Sequence, residues 1–272
     1  MAKGSLTTRQ DCEDLVRGCT FYGTGGGGSP EQGLKRLVET LDSGTEVGWV
    51  DINDVSDDAW TCTAFMMGSI APMSPETLRE MERYDLPGDR YVPSVGEAIR
   101  ELGEYAGVDI SALVAVELGG TNTAEPLIFG AQLGIPVVDG DYAGRAVPEE
   151  AQCTPYIYGK DSFPQASVDQ WGNVIIIKKA CNPFMLERIG KHISMAAFVG
   201  CSLAGTLLEG REMKEALVEG TISKSLRLGR AIREAREAGE DPVKAAVDFT
   251  NGWLLFEGEV TEKEWEDRDG YM

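Results

Sequence analysis

A chain of 272 residues with 42% hydrophobic and 26% charged residues is long enough, and apolar enough, to enclose a core as one large domain or two small ones. This composition excludes disordered, collagen-like and low-complexity scaffolds. With 45 Asp and Glu against 25 Lys and Arg, the net charge of −20 repels phosphate backbones and anionic lipid, so neither nucleic acid nor a membrane surface is expected as a partner.

The opening Met1-Ala2-Lys3-Gly4-Ser5-Leu6 has no signal-peptide core, and no apolar run approaches the ~18 residues of a spanning helix. A cytoplasmic location is expected. A first helix is predicted from about Thr8 to Val16, followed by a short apolar piece, Cys19 to Tyr22. The run Gly23-Thr24-Gly25-Gly26-Gly27-Gly28 then leads to Ser29, an N-cap, and Pro30, a first helical residue, with Leu34, Leu37, Val38 and Leu41 on one helix face. Val47 to Ile52 and Cys62 to Met67 read as strands, while Ser74-Pro75-Glu76 and Ser94-Val95-Gly96-Glu97 open helices, the second with Glu97 placed for a capping box.

Ala112 to Val116 reads as a buried strand ending at Glu117-Leu118-Gly119-Gly120-Thr121-Asn122, followed by a helix from Glu125 to Leu133 that stops at Gly134. Ile135 to Val138 gives another short strand, ending at Asp139-Gly140-Asp141, and Asp141 to Pro155 a long polar loop. Gln165 to Asp169 and Val174 to Lys178 flank Trp171-Gly172-Asn173 as a hairpin. Helices are predicted from Asn182-Pro183, from Thr221-Ile222-Ser223 to near Gly239, and from Asp241-Pro242; a last strand-like piece covers Trp253 to Val260. The pattern is α/β: a mixed or mostly parallel sheet flanked by helices, with β-hairpin insertions.

Glycine-bared N–H groups at a helix N-terminus suit an anion, so Thr24, Gly25, Gly26, Gly27 and Gly28 are candidate ligand contacts; a purely structural turn explains them equally well. No Gly-Lys-Ser/Thr follows, which excludes a Walker loop. Glu117 and Asp139 each follow a buried strand, where α/β sheets bind ligands, and Asp141 lies two residues on. Three converging carboxylates would either bind a hard divalent metal or divide into acid and base, whereas strand-end acids alone merely cap turns. Arg145 would pair with these acids or fork onto a substrate carboxylate. His192, the single histidine, reads as a helix-surface residue and excludes a multi-histidine zinc site. Gly200 to Gly205 lacks the spacing of a nucleophile elbow, and Arg227 to Glu240 reads as a solvated helix face. The six cysteines show no CxxC spacing, so most are expected to be small buried residues.

Gly23 to Gly28, Glu117 to Asn122, Gly134 to Asp141 with Gly144 to Glu149, and Gly220-Thr221-Ile222-Ser223 with Gly229-Arg230-Ala231-Ile232 occur in one order. Together they resemble the DUF917 family, associated with S-methyl thiohydantoin desulfurase and with hydantoinase-type enzymes, over roughly residues 8 to 260. The resemblance implies an S-methyl thiohydantoin desulfurase-like domain over 1–260. It also implies a β-rich second domain, of which 261–272 would be a truncated start, or which a separate chain would supply. A hydantoinase-type partner and a homo-oligomer are further expectations. The implied reaction is hydrolysis of a five-membered ring with release of methanethiol. Asp139 or Asp141 would be the base, Glu117 the acid, Asn122 a donor to the ring nitrogen, and Arg145 the holder of a substrate carboxylate. Two other readings stay open: a cyclic amidase that uses a divalent metal, and a binding or regulatory subunit without chemistry.

Overall fold

The computed structural model describes residues 4–68, 73–86, 95–198 and 200–264. In chain order the strands are β1 (Gly4–Leu6), β2 (Val47–Trp49), β3 (Trp60–Gly68), β4 (Ile110–Ala115), β5 (Val137–Asp141), β6 (Gln165–Asp169), β7 (Val174–Ile177), β8 (Gly200–Glu209) and β9 (Val218–Glu219). The helices are α1 (Arg9–Gly23), α2 (Pro30–Asp42), α3 (Pro75–Arg83), α4 (Val95–Ala106), α5 (Ala124–Leu133), α6 (Thr154–Ile157), α7 (Pro183–Ala196), α8 (Gly210–Ala216), α9 (Thr221–Glu237) and α10 (Pro242–Thr250).

Seven strands form one sheet in the order β7-β6-β8-β3-β4-β5-β9, and β1 and β2 pair separately. The centre β3-β4-β5 is parallel, while β8, β6, β7 and β9 join antiparallel, so the sheet is mixed. Parallel strands need coverage on both faces. On one face α1, α2, α4 and α5 bury Leu15, Leu37, Leu102 and Leu127 against Cys62, Leu113 and Val137; on the other, Phe65, Val114, Tyr142 and Met213 form a second core. Placing β8 beside β3 brings residues far apart in sequence into the middle of the sheet.

Local chemistry explains where the helices start. Thr8 caps α1 through a reciprocal box with Asp11, Ser29 and Pro30 open α2, and Asn182 and Pro183 open α7. Gly134 ends α5 in the left-handed conformation. The hairpin of β6 and β7 forms as expected, as do the helices at Pro75, Val95 and Pro242. Ser94, the expected partner of Glu97, lies outside the described residues.

Four expectations need correction. The first helix does not stop at Val16, because Cys19 to Tyr22 continue α1 to its left-handed cap at Thr24; its buried side bears Cys12, Leu15, Val16 and Cys19, a helical rather than alternating pattern. The strand expected to end at Val138 runs on through Asp139-Gly140-Asp141, since Gly140 and Asp141 pair with Glu219 and Val218 of β9. The strand expected over Val47 to Ile52 ends at Trp49, and Ile52–Asp54 form a 3-10 turn capped by Asp51. Trp253 to Val260 belong to no strand: among the described residues no neighbouring strand receives them, and Trp253 and Leu255 are 83% and 91% exposed.

Gly200 to Gly205, set aside as a nucleophile loop, lie in β8. Among the described residues all six cysteines are free, and Cys181 alone is exposed. His192 is exposed on α7 with Nδ1 against the Arg188 carbonyl. The Arg227 to Glu240 face is not wholly solvated, because Arg233 reaches across to the buried Asp14 of α1.

Candidate active site at the strand ends

The candidate residues gather at the carboxyl ends of β4 and β5. After β4 the chain turns through Glu117-Leu118-Gly119-Gly120, and this turn lies directly on the glycine run between α1 and α2. Gly27 O accepts the N–H groups of Thr121 and Asn122, each at 3.0 Å. A Cβ on Gly27 would overlap Gly119, and one on Gly28 would overlap the Thr121 hydroxyl; both glycines also have positive φ, 75° and 83°. The chain itself therefore fills the space these side chains would need. Gly25 faces open space, and Thr24, Gly25 and Gly26 are exposed. Ala146, in the loop after β5, lies against Gly26, so the two loops meet over the strand ends.

Glu117 is buried and its carboxylate bridges both loops, with Oε1 accepting Asn122 Nδ2 and Oε2 accepting Val147 N, each at 2.6 Å. Burial pushes its pKa up, against these two hydrogen bonds and the nearby Arg145 charge, which pull it down. Asp141 is fully buried. Its Oδ2 accepts Ala143 N at 3.0 Å and Gly144 N at 2.7 Å, and the Thr221 side chain lies beside the carboxyl group. Desolvation, helped by the charge of Glu117, raises its pKa from 3.8 to about 6, although the Thr221 side chain and the two N–H groups oppose the shift.

Asp139 turns to a different task. Its Oδ1 accepts Ser223 N at 3.0 Å, its Oδ2 accepts Ser223 Oγ at 2.5 Å, and its carbonyl accepts Gly220 N at 2.7 Å. Gly220, the residue before α9, brings no capping side chain, so Asp139 caps that helix from the neighbouring strand. Arg145 is exposed and donates to Ala146 O at 2.7 Å.

The structure thus brings Glu117, Asn122 and Asp141 together, with Gly27 beneath them and Arg145 and Thr24 to Gly26 on the rim. Asp139 adjoins them but is engaged with α9. Hydrogen-bond donors of the chain already occupy these carboxylates, and among the described residues no three His, Cys, Asp or Glu side chains are grouped to hold a metal ion. The acids therefore do not fit a shared divalent site.

Three more residues reach the cluster: Cys19 of α1 and Thr221 and Ser225 of α9. Cys19 is buried beside Thr123, Ser225 and Asp141, and burial raises its thiol to about 12. The sequence carries a signal for the α9 pair, a hydroxyl at two positions four apart, although the caps there claim Thr221 first. Cys19 is hidden from a reading that ends its helix at Val16. A recess lined by Val50, Asp54, Val55, Ser111 and Pro136 lies at the opposite, amino-terminal end of the parallel strands. Ligands of such sheets bind at the carboxyl end, so the recess is not the candidate site.

A sheet with polar loops gathered at its carboxyl edge defines an α/β protein with a strand-end site, and comparison with known proteins narrows the class. The description "S-Me-THD-like, N-terminal domain" matches residues 10–179, and "S-Me-THD-like, C-terminal domain" matches residues 181–272. The chain belongs to the S-Me-THD-like family, as its resemblance to S-methyl thiohydantoin desulfurases implied. Sequence of the C-terminal domain is thus carried within this same chain. The X-ray crystal structure of a protein from Chromobacterium violaceum is similar, with a TM-score of 0.68 and 24% identity over 91% of this chain. The match spans 66% of that protein's chain, and it establishes the fold alone. No curated protein matches this chain. Among the described residues no helix is long and apolar enough to cross a membrane.

Proposed function

We propose that the protein hydrolyses the S-methyl amidine of an S-methyl thiohydantoin, releasing methanethiol and leaving a hydantoin. The observation that carries this reading is Asp141, a fully buried carboxyl group at a strand end, beside Glu117 and held near pKa 6. Such a group is tuned to take a proton near neutral pH. Family membership supplies the ring. Asp139, with both oxygens on Ser223, is the poorer base.

In the proposed reaction water adds to the amidine carbon as Asp141 takes its proton. The C=N electron pair moves to the ring nitrogen, which takes a proton from Glu117. The C–S bond then breaks, and methanethiolate leaves with its electron pair and the proton held by Asp141. The new hydroxyl returns its proton to Glu117 as the carbonyl forms. Asn122 fixes the acid through Nδ2, and Arg145 is free to hold a substrate carboxylate at the rim. Incubation with S-methyl thiohydantoins while methanethiol is measured tests the reading. Tight ring binding without thiol release would favour the non-catalytic binding subunit instead.

A further inference from the structure

Helix α7 presents an apolar groove on the side where a surface helix is ordinarily polar. Its inward side, with Leu186, Glu187, Gly190 and Ser194, is buried against β3, β6 and β8. The outward groove is lined by Met185, Arg188, Ile189, His192, Ile193 and Ala196, whose spacing is that of one helix face. Beside its first turn the exposed rings of Tyr156 and Phe184 meet edge to face, their centroids 6.3 Å apart. Methionine, arginine and aromatic side chains are the types that interfaces favour over open surface.

Charge sets this surface apart from the rest of an acidic molecule. From Val174 to Ala196 the sole carboxylate is Glu187, which is buried and paired with Lys191 at 3.1 Å. Lys178, Lys179 and Arg188 are exposed and have no ion pair among the described residues. Ile177 and Ala180, on either side of the two lysines, pack in the same apolar cluster as Ile189 and Ile193, so the lysines stand next to the groove. An apolar floor rimmed by positive charge fits an extended segment that is itself apolar and acidic.

The chain carries such a segment. Trp253-Leu254-Leu255-Phe256 is followed by Glu257, Glu259, Val260 and Glu262, and residues 252–264 are exposed and belong to no helix or strand. The segment leaves α10, which packs on α9, and Ile222 of α9 belongs to the core on one face of the sheet. Gly190 of α7 lies against Met67 of the core on the other face. The tail therefore starts across the sheet from its own groove, and the groove of a second copy receives it without the tail wrapping around its own fold. Two copies of net charge −20 repel each other as wholes, so a contact between them needs local pairing of opposite charge.

We propose that residues 253–262 of one chain dock in the α7 groove of a second copy and that the partner's tail docks in return, giving a two-fold dimer by exchange of arms. The apolar half of the tail covers Met185, Ile189 and Ile193, and its glutamates face Lys178, Lys179 and Arg188.

Sedimentation velocity tests the exchange, on the whole protein and on two charge variants, Lys178→Glu with Lys179→Glu and Glu257→Lys with Glu259→Lys, each alone and mixed in equal amounts. The parent should sediment as a dimer. Each variant alone should raise the dimer dissociation constant about tenfold or more, because like charges then face each other. Its circular dichroism should match the parent's, since the changed positions are exposed. The equal mixture should recover the dimer, because the parental groove of one variant takes the parental tail of the other and the two reversed segments also match. Met185→Asp, on the exposed wall of the groove, should weaken the dimer as well. A monomeric parent, or a mixture that stays monomeric, overturns the proposal. If the charge variants and Met185→Asp dimerise like the parent while loss of Trp253, Leu255 and Phe256 abolishes the dimer, the tail binds elsewhere and the α7 groove is rejected.

Discussion

Asp141 and Asp139 are two residues apart on one strand, yet their partners give them opposite consequences on substitution. Asp141 is destabilised as an anion, because burial outweighs the N–H groups it accepts. Its folded pKa, about 6, lies above the ordinary 3.8, so its contribution to stability is fully present below pH 3.8 and is lost as pH rises through about 6. That change is on the order of 3 kcal/mol. As a base it needs the ionised form, so the rate should rise with pH across the same interval in which this contribution fades. Asp141→Asn should therefore lower kcat at least about a hundredfold while leaving the melting temperature near neutral pH unchanged or higher. A variant that melts lower and still turns over would remove Asp141 from the chemistry. Asp139→Ala should do the reverse at the level of the fold, costing about 1–2 kcal/mol in urea unfolding through the lost cap of α9.

At the scale of elements, α1 and α9 are pressed together through two glycines. A Cβ on Gly18 would overlap the backbone oxygen of Ser225, and one on Gly229 would overlap that of Asp14. Alanine is the better helix former, but here sterics dominate: Gly18→Ala should destabilise by on the order of 2–3 kcal/mol in denaturant unfolding, despite the ~1 kcal/mol its propensity adds. Gly27→Ala, overlapping Gly119 at positive φ, should lower the melting temperature even without ligand. Much of this level was legible in the sequence, because caps such as Ser29-Pro30 and Asn182-Pro183 and stops such as Gly134 act through neighbours a few residues away. Legible too were the strand-end positions of Glu117 and Asp141. Long-range contacts were not: the extension of α1 to Gly23 depends on α9, the length of β5 on β9, and the task of Asp139 on Ser223, 84 residues away. The spacing of Thr221 and Ser225 was readable only as a helix face until Asp141 lay beside it.

For the whole molecule, the acidic charge is carried with an exposed apolar segment. Trp253, Leu254, Leu255 and Phe256 are 83%, 62%, 91% and 80% exposed, and contiguous apolar surface of this kind is usually covered by another chain. Self-association through this segment is therefore expected, most simply as a two-fold dimer. Light scattering at high protein concentration should show a mass above that of one chain, and a Trp253→Ser, Leu255→Ser, Phe256→Ser variant should return it to a single chain with activity retained. A parent protein that stays monomeric would contradict the expectation.

The position of β8 bears on how the chain is made. Residues 200–209 lie between β3 and β6, so among the described residues the hairpin of β6 and β7 joins the sheet through them. A nascent chain that has emerged only to Lys179 holds every strand that precedes β8, yet β3 still presents an unpaired edge and the hairpin lacks the strand that joins it to the sheet. Emerging β8 closes both gaps at once, and until then the exposed edge invites pairing between neighbouring chains. Residues 1–179, expressed alone, should accordingly be recovered mainly in the insoluble fraction, whereas co-expression with 180–272 should restore part of the material to solution.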